Sequence, residues 1–206
     1  NLLDNNFITV KNYQNFRKKN IQLKKTKRVY LEDSQYYIED VRKNIIDKLT
    51  YEKVYKQGFN INTPINLDLQ KSATSSLRKG LISYDKRKGW RGPLENKSYN
   101  NKWDKDLEKY KLEKSVGWEI AIIKKIEPFS IEIETSNKEK GILQYKEISW
   151  TKKEFDELFK IGDVVYVEKL DKNKFSLKQL PKINGGIVVM DPYTGRVLAL
   201  SGGFSF

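Results

Sequence analysis

Near Val116 the hydrophobic period of this chain changes. Upstream, apolar residues recur every three to four positions, as in Tyr37, Val41, Ile45 and Leu49. Downstream they recur every second position, as in Ser130-Ile131-Glu132-Ile133-Glu134. The first spacing lines one face of a helix and the second lines one face of a strand, so the chain combines a helical part with a β part.

The β part has a definite order. Trp118 to Ile126, Ser130 to Glu134, Gly141 to Tyr145, Val164 to Glu168 and Lys174 to Leu177 read as five short strands. Between the third and fourth, Thr151 and Glu154 form a T-x-x-E capping box for a short helix ending near Lys160, and Ile161-Gly162-Asp163 turns into the fourth strand. Five strands with a helix after the third is the element order of an OB-like barrel. The expected fold class is α+β: a five-stranded OB-like β-barrel, preceded by a mainly helical linker and followed by a β-hairpin.

In the helical part, Asn5 to Thr9 reads as a turn ending in an N-cap at Thr9, with Val10, Tyr13 and Phe16 following at helical spacing. A basic stretch follows, from Arg17-Lys18-Lys19 through Lys24-Lys25 to Lys27-Arg28: a solvated face or a surface for anionic headgroups or phosphates. Tyr36 to about Leu49 is an amphipathic helix. Phe59 to Thr63 alternates like a strand closed by Pro64. Asp68 is placed to cap a helix running to about Tyr84, with Leu69, Ala73, Leu77 and Leu81 facing inward. Gly89 to Pro93 breaks it. Leu94 to Leu112 is polar and reads as a loop, or as a short exposed helix around Trp103 to Leu112. At the other end, Gly186 to Met190 and Arg196 to Leu200 flank Asp191-Pro192-Tyr193-Thr194-Gly195 as a hairpin in which Gly195 takes the left-handed conformation. Both strands are apolar on both faces, and Ser201 to Phe206 is too short to cover them. Together with Asn1 in place of a start Met, this gives the expectation that the chain is cut from a longer protein.

Composition limits the chemistry. With no His and no Cys among 206 residues, there is no Ser-His-Asp triad, His-ligated metal, thiol nucleophile or disulfide framework. A Ser–Lys pair is the main nucleophile left. S-x-x-K occurs at Ser76/Lys79, Ser83/Lys86 and Ser149/Lys152, against about two expected by chance for 13 Ser and 33 Lys. The Ser98-Tyr99-Asn100 triplet lies in the polar loop and no K-T-G strand accompanies it, so no serine acylation site is assembled. Glu132 and Glu134 share the outer face of one strand, and no carboxylate pair stands out for acid–base work. The net charge of +13 sits mainly at the N-terminal end. Residues 1–30 carry +7 of it, 31–111 carry +5, and 112–183 only +1. Lys outnumbers Arg by 33 to 7 and Asn and Ile are frequent, which points to an A/T-rich genome behind part of the charge. The alternative function for such a barrel is single-stranded nucleic-acid binding, with Trp118, Phe129, Tyr145, Trp150 and Tyr166 as candidate stacking rings. The near-neutral barrel weighs against it.

Four stretches carry a resemblance in the right order. NGGIVVMDPYTGRVLALSGGFSF (Asn184–Phe206) resembles the opening of the transpeptidase domain of class A penicillin-binding proteins, and its GGFSF ending resembles the 1A branch. FNINTPINLDLQKSATSSLRKGLISYDKRKGWRGP (Phe59–Pro93) and YYIEDVRKNI (Tyr36–Ile45) resemble the linker of that family. LLDNNFITVKNYQ (Leu2–Gln14) resembles the last helices of its glycosyltransferase domain. The resemblance implies four parts: 1–28 from the end of the glycosyltransferase domain, 29–111 as linker, 112–183 as the OB-like domain and 184–206 as the first transpeptidase hairpin. It implies a bifunctional parent that polymerises lipid-linked disaccharide and cross-links stem peptides through an acyl-serine. That parent would be anchored in the bacterial inner membrane, facing the periplasm, through a segment outside this chain. The family's glycosyltransferase motifs are expected before Asn1 and its nucleophile after Phe206, so no catalytic, cofactor-binding or metal-binding role falls on any residue here and no cofactor is expected. Implied partners are the parent's own catalytic domains and an outer-membrane lipoprotein activator or other cell-wall synthesis proteins, with no nucleic acid.

Overall fold

The computed structural model describes residues 2–18, 31–100, 102–151, 153 and 155–206, in two compact units, 1–30 and 31–206. In the first unit, α1 (Val10–Lys18) starts as expected at Thr9, whose Oγ1 accepts from the Asn12 N–H at 3.3 Å. Most of the basic stretch, from Lys19 to Arg28, lies outside the described residues.

The second unit begins with α2 (Gln35–Leu49) and α3 (Tyr51–Gln57). The alternation at Phe59 to Thr63 does not make a strand. Among the described residues the segment has no ladder partner, and residues 58–66 run as coil to the Asn66 N–H, which bonds the Leu198 carbonyl at 2.8 Å. α4 (Leu67–Arg87) is capped by Asn66 rather than Asp68. Asn66 Oδ1 accepts from the N–H groups of Asp68 (3.1 Å) and Leu69 (3.0 Å), while Asp68 lies in the first turn, where a carboxylate suits the helix dipole. Of the expected inward face, Ala73 and Leu81 are buried but Leu69 is exposed. Gln70, Thr74 and Asp85 are buried instead.

After a short strand β1 (Glu95–Asn96) come β2 (Trp118–Glu127), β3 (Ser130–Thr135) and β4 (Lys140–Gln144). Two one-turn helices follow, α5 (Tyr145–Ile148) and α6 (Phe155–Leu158), then β5 (Asp163–Asp171) and β6 (Lys174–Lys178). The strands pair in the order β5-β2-β3-β4-β6, and β6 returns to β5. All these pairs are antiparallel except β4–β6, where Ile142 faces Lys174 and Leu143 faces Phe175. That single parallel pair closes the sheet into the expected OB-like barrel and leaves it no open edge. Of the expected T-x-x-E box only Thr151 is described. The Thr151 hydroxyl donates back to the Ile148 carbonyl at 2.8 Å, and Glu154 lies outside the described residues.

Alternation fills the barrel. Ala121 and Ile123 of β2, Ile131 and Ile133 of β3, Leu143 of β4, Val165 and Val167 of β5, and Phe175 and Leu177 of β6 point inward. Ile148, Leu158 and Phe159 plug one end. Each buried aliphatic side chain of this size contributes about 1.5–3 kcal/mol. The outer face of β2 and β5 is also apolar, and the segment read as an exposed loop or helix covers it. Trp103 and Leu107, each 2% exposed, pack on Ile120, Ile122, Val164 and Tyr166. The β7 (Ile187–Met190) and β8 (Val197–Ser201) hairpin forms a separate two-stranded sheet, turned at Gly195 with φ 70°. α4 packs along it and α2 along β8, burying Ala199, while Val188 and Met190 are exposed.

Candidate functional site

Three polar clasps on α4 tie the barrel and the hairpin to one helix. They begin at Gln70. Its amide Nε2 donates to the carbonyls of Leu200 (2.9 Å) and Asp33 (2.8 Å), and its Oε1 accepts from the Leu200 N–H at 2.9 Å. The Gln70 side chain thus occupies the place of a neighbouring strand on the outer edge of β8. Tyr37 adds a bond from its hydroxyl to the Val197 carbonyl at 2.9 Å. These contacts satisfy an edge that would otherwise leave buried backbone groups unpaired.

Two turns along α4 is Arg78, 12% exposed in its side chain. Its Nε donates to the Phe204 carbonyl (2.8 Å), Nη1 to the Ser115 carbonyl (3.1 Å), and Nη2 to Ser115 Oγ (3.0 Å) and Glu113 Oε2 (3.4 Å). Asp33 stands 3.5 Å from Nη1. One guanidinium therefore holds the lead-in to the barrel and the segment leaving the hairpin. A groove of about 260 Å³ opens beside it, with Arg78, Ser115, Trp118, Glu168 and Phe204 in its wall.

The third clasp is Asp85, 2% exposed. Its carboxylate accepts both Arg91 Nη1 (2.8 Å) and Nη2 (2.9 Å), Gln179 Nε2 (2.8 Å) and the Lys182 N–H (3.2 Å). Burial pushes the Asp85 pKa up, but the Arg91 guanidinium, the Gln179 amide and the Lys182 N–H together outweigh it and hold the carboxyl below its ordinary value. The helix C-terminus, the Gly89–Pro93 turn and the chain leaving β6 all meet on this group.

Glu134, expected on a solvated strand face beside Glu132, is 7% exposed. It accepts from the Tyr99 hydroxyl (2.9 Å), Trp103 Nε1 (3.2 Å) and Lys124 Nζ (3.2 Å). These donors hold its carboxyl below the usual range although burial acts the other way. It fastens the 94–112 segment to the barrel wall.

Among the described residues the S-x-x-K side chains are not gathered into one site. Ser76, Lys79 and Ser83 are exposed on α4, and Lys86 lies over the Trp150 ring at 5.1 Å. Ser149 Oγ donates to the Lys146 carbonyl, and Lys152 lies outside the described residues. Among the described residues no group of three acidic side chains is gathered to hold a metal ion. The nucleic-acid alternative is not supported. Tyr166 is buried, Trp118 packs on Tyr166 and Phe204, and Trp150 packs edge-on to Trp90, so the candidate rings do not share one open face.

The profile of the family described as "Penicillin-binding protein OB-like domain" matches residues 90–183, and so takes in the segment that packs on the outside of the barrel. Penicillin-binding protein 1A of Rickettsia conorii is 35% identical over 178 residues, covering 84% of this chain and 22% of the relative. That of Pseudomonas aeruginosa is 26% identical over 187 residues with the same coverage. The chain belongs to the class A penicillin-binding proteins, in the 1A branch. It spans about a fifth of the length of these relatives. The crystal structure of penicillin-binding protein 1A from Haemophilus influenzae superimposes with a TM-score of 0.71 over 99% of this chain and 30% of that one. At 24% identity it bears on the fold, which it shares. The Gln70, Arg78 and Asp85 clasps are not legible in the sequence because polar side chains in a helix read as its solvated face. The one usable signal was the position of Gln70, Thr74 and Arg78 at four-residue spacing on that helix.

Proposed function

We propose that this chain is the non-catalytic connector of a bifunctional peptidoglycan synthase. On this reading residues 1–28 close a domain that polymerises lipid-linked disaccharide, and 29–111 form the linker. Residues 112–183 form the OB-like domain, with 90–111 packed on its surface, and 184–206 open a domain that cross-links stem peptides. The parent is held in the inner membrane with these parts in the periplasm. Among the described residues of this chain no helix is long and apolar enough to cross a membrane. The observation that carries the reading is the arrangement on α4: barrel and hairpin are clasped to the same helix, so the barrel acts as a spacer that sets the hairpin's position. The barrel also offers a docking surface for a regulatory protein of the cell envelope. Phe129, 83% exposed at the β2–β3 turn, is a large apolar group free for such a contact.

The test uses the full-length enzyme with residues 90–183 replaced by a flexible linker and lipid-linked disaccharide-peptide as substrate. Glycan polymerisation is expected to persist while the fraction of cross-linked peptide falls. Unchanged cross-linking would remove the spacer role. In a parallel assay with fluorescent penicillin, the full-length protein is expected to label and the 206-residue chain is not.

A further inference from the structure

The segment after β8 is gripped from two sides. On one side lies Tyr36 of α2. Gly202 and Gly203 pass directly over its ring: a Cβ on Gly202 would stand 2.9 Å from Tyr36 Cδ1, and one on Gly203 would run into the Tyr36 hydroxyl and come within 3.0 Å of Asn184 Oδ1. The Tyr36 hydroxyl donates to the Ser205 carbonyl at 2.8 Å, and its ring meets Phe206 edge-on at 5.1 Å. On the other side stands Glu113, in the lead-in to the barrel. Its Oε1 accepts from Ser205 Oγ at 2.9 Å and from the Phe206 N–H. Its Oε2 accepts from Arg78 and from Ser115 Oγ at 3.3 Å. Arg78 also donates to the Phe204 carbonyl. Residues 202–206 are therefore held by contacts from the linker and the barrel, and the carboxylate that joins them, Glu113, is separated from β2 only by the single turn Lys114–Val116 and Gly117.

We propose that Glu113 is a positioning residue for the cross-linking step: it latches the segment leaving the first hairpin to the barrel and so sets the direction in which the chain enters the cross-linking domain. This rests on the function proposed above. A carboxylate shared by a guanidinium, two hydroxyls and a backbone N–H defines a direction as well as an attachment, because one oxygen is committed to Ser205 and Phe206 and the other to Arg78 and Ser115. Displacing the barrel from α4 separates Glu113 from Arg78 and frees both ends of the latch together.

The decisive measurements are made on Glu113→Ala and Ser205→Ala. In the 206-residue chain, amide hydrogen exchange at Phe206 is expected to accelerate about ten- to a hundredfold in Glu113→Ala, while amides of β2, β3 and β5 keep their protection. In the full-length enzyme, cross-linking is expected to fall about tenfold or more with polymerisation within about twofold of wild type. Ser205→Ala should give a smaller loss that does not add to that of Glu113→Ala. A wild-type enzyme that polymerises but never cross-links would defeat the function proposed above. Wild-type cross-linking that Glu113→Ala leaves intact would overturn the latch alone. Loss of barrel protection or of polymerisation in Glu113→Ala would overturn it equally, by marking Glu113 as a folding residue.

Discussion

Asp85→Asn tests whether the Asp85 clasp carries the junction. Wild-type Asp85 takes four hydrogen bonds, two from Arg91, one from Gln179 and one from the Lys182 N–H. An Asn amide keeps one acceptor oxygen and turns an NH2 group toward donors, so at best two of the four survive. Breaking a buried ion pair from one side costs about 3–5 kcal/mol. The Arg91 side chain is 26% exposed, and water recovers part of that loss, leaving about 2–3 kcal/mol. For a chain of this size the expected drop in Tm is about 4–12 °C. The assay is thermal unfolding of the 206-residue chain at neutral pH and again near about pH 2. The folded carboxyl has a depressed pKa, so its contribution is complete above the ordinary 3.8 and fades as pH falls from there through the folded value. The gap between wild type and Asp85→Asn must therefore shrink in acid. A neutral-pH difference within about 1 °C, or a gap of the same size in acid, refutes the reasoning.

Three further outcomes follow from packing and ionisation. Gly141→Ala places a methyl group against the fully buried Phe175 ring and 3.2 Å from the Asn173 carbonyl, and should destabilise the barrel by about 1–3 kcal/mol in urea titration. Trp103→Ala should lose about 3–5 kcal/mol and expose the outer face of β2 and β5. Trp103→Phe should recover most of that packing and leave Glu134 short of the indole donor, so stability equal to that of the alanine variant would show that the ring does not pack as described. Tyr166 is pushed up to about 12 by burial and then by Tyr110, so its phenol stays protonated in the folded state while an unfolded one ionises from about 10. Stability should fall between those values, and Tyr166→Phe should flatten that part of the alkaline profile.

The barrel was legible because a closed sheet places one face of every strand inside. Ile131, Ile133 and Leu143 could then be read from alternation alone, strand by strand. The same rule fails at Phe59 to Thr63, where alternation exists but no strand among the described residues pairs with it. The segment 94–112 reads as an exposed one because its few apolar residues are scattered through Lys, Asn and Asp. A clue was available in β2, where Ile120, Ala121, Ile122 and Ile123 are apolar on both faces and so call for a cover outside as well as a core inside. The side chains that organise the clasps are the Gln70 amide, the Arg78 guanidinium and the Asp85 carboxylate.

From the residues alone came the helix-to-strand change at Val116, the five-strand order, the two amphipathic helices and the turn at Gly195. Each of these depends on spacing within one element, and a local property survives without knowledge of the rest. The tertiary structure decided what lies beside each element. Asp85 meets Gln179 across 94 positions and Gln70 meets Leu200 across 130. A buried polar group must be satisfied by whatever the fold brings to it, and that depends on the path of the whole chain.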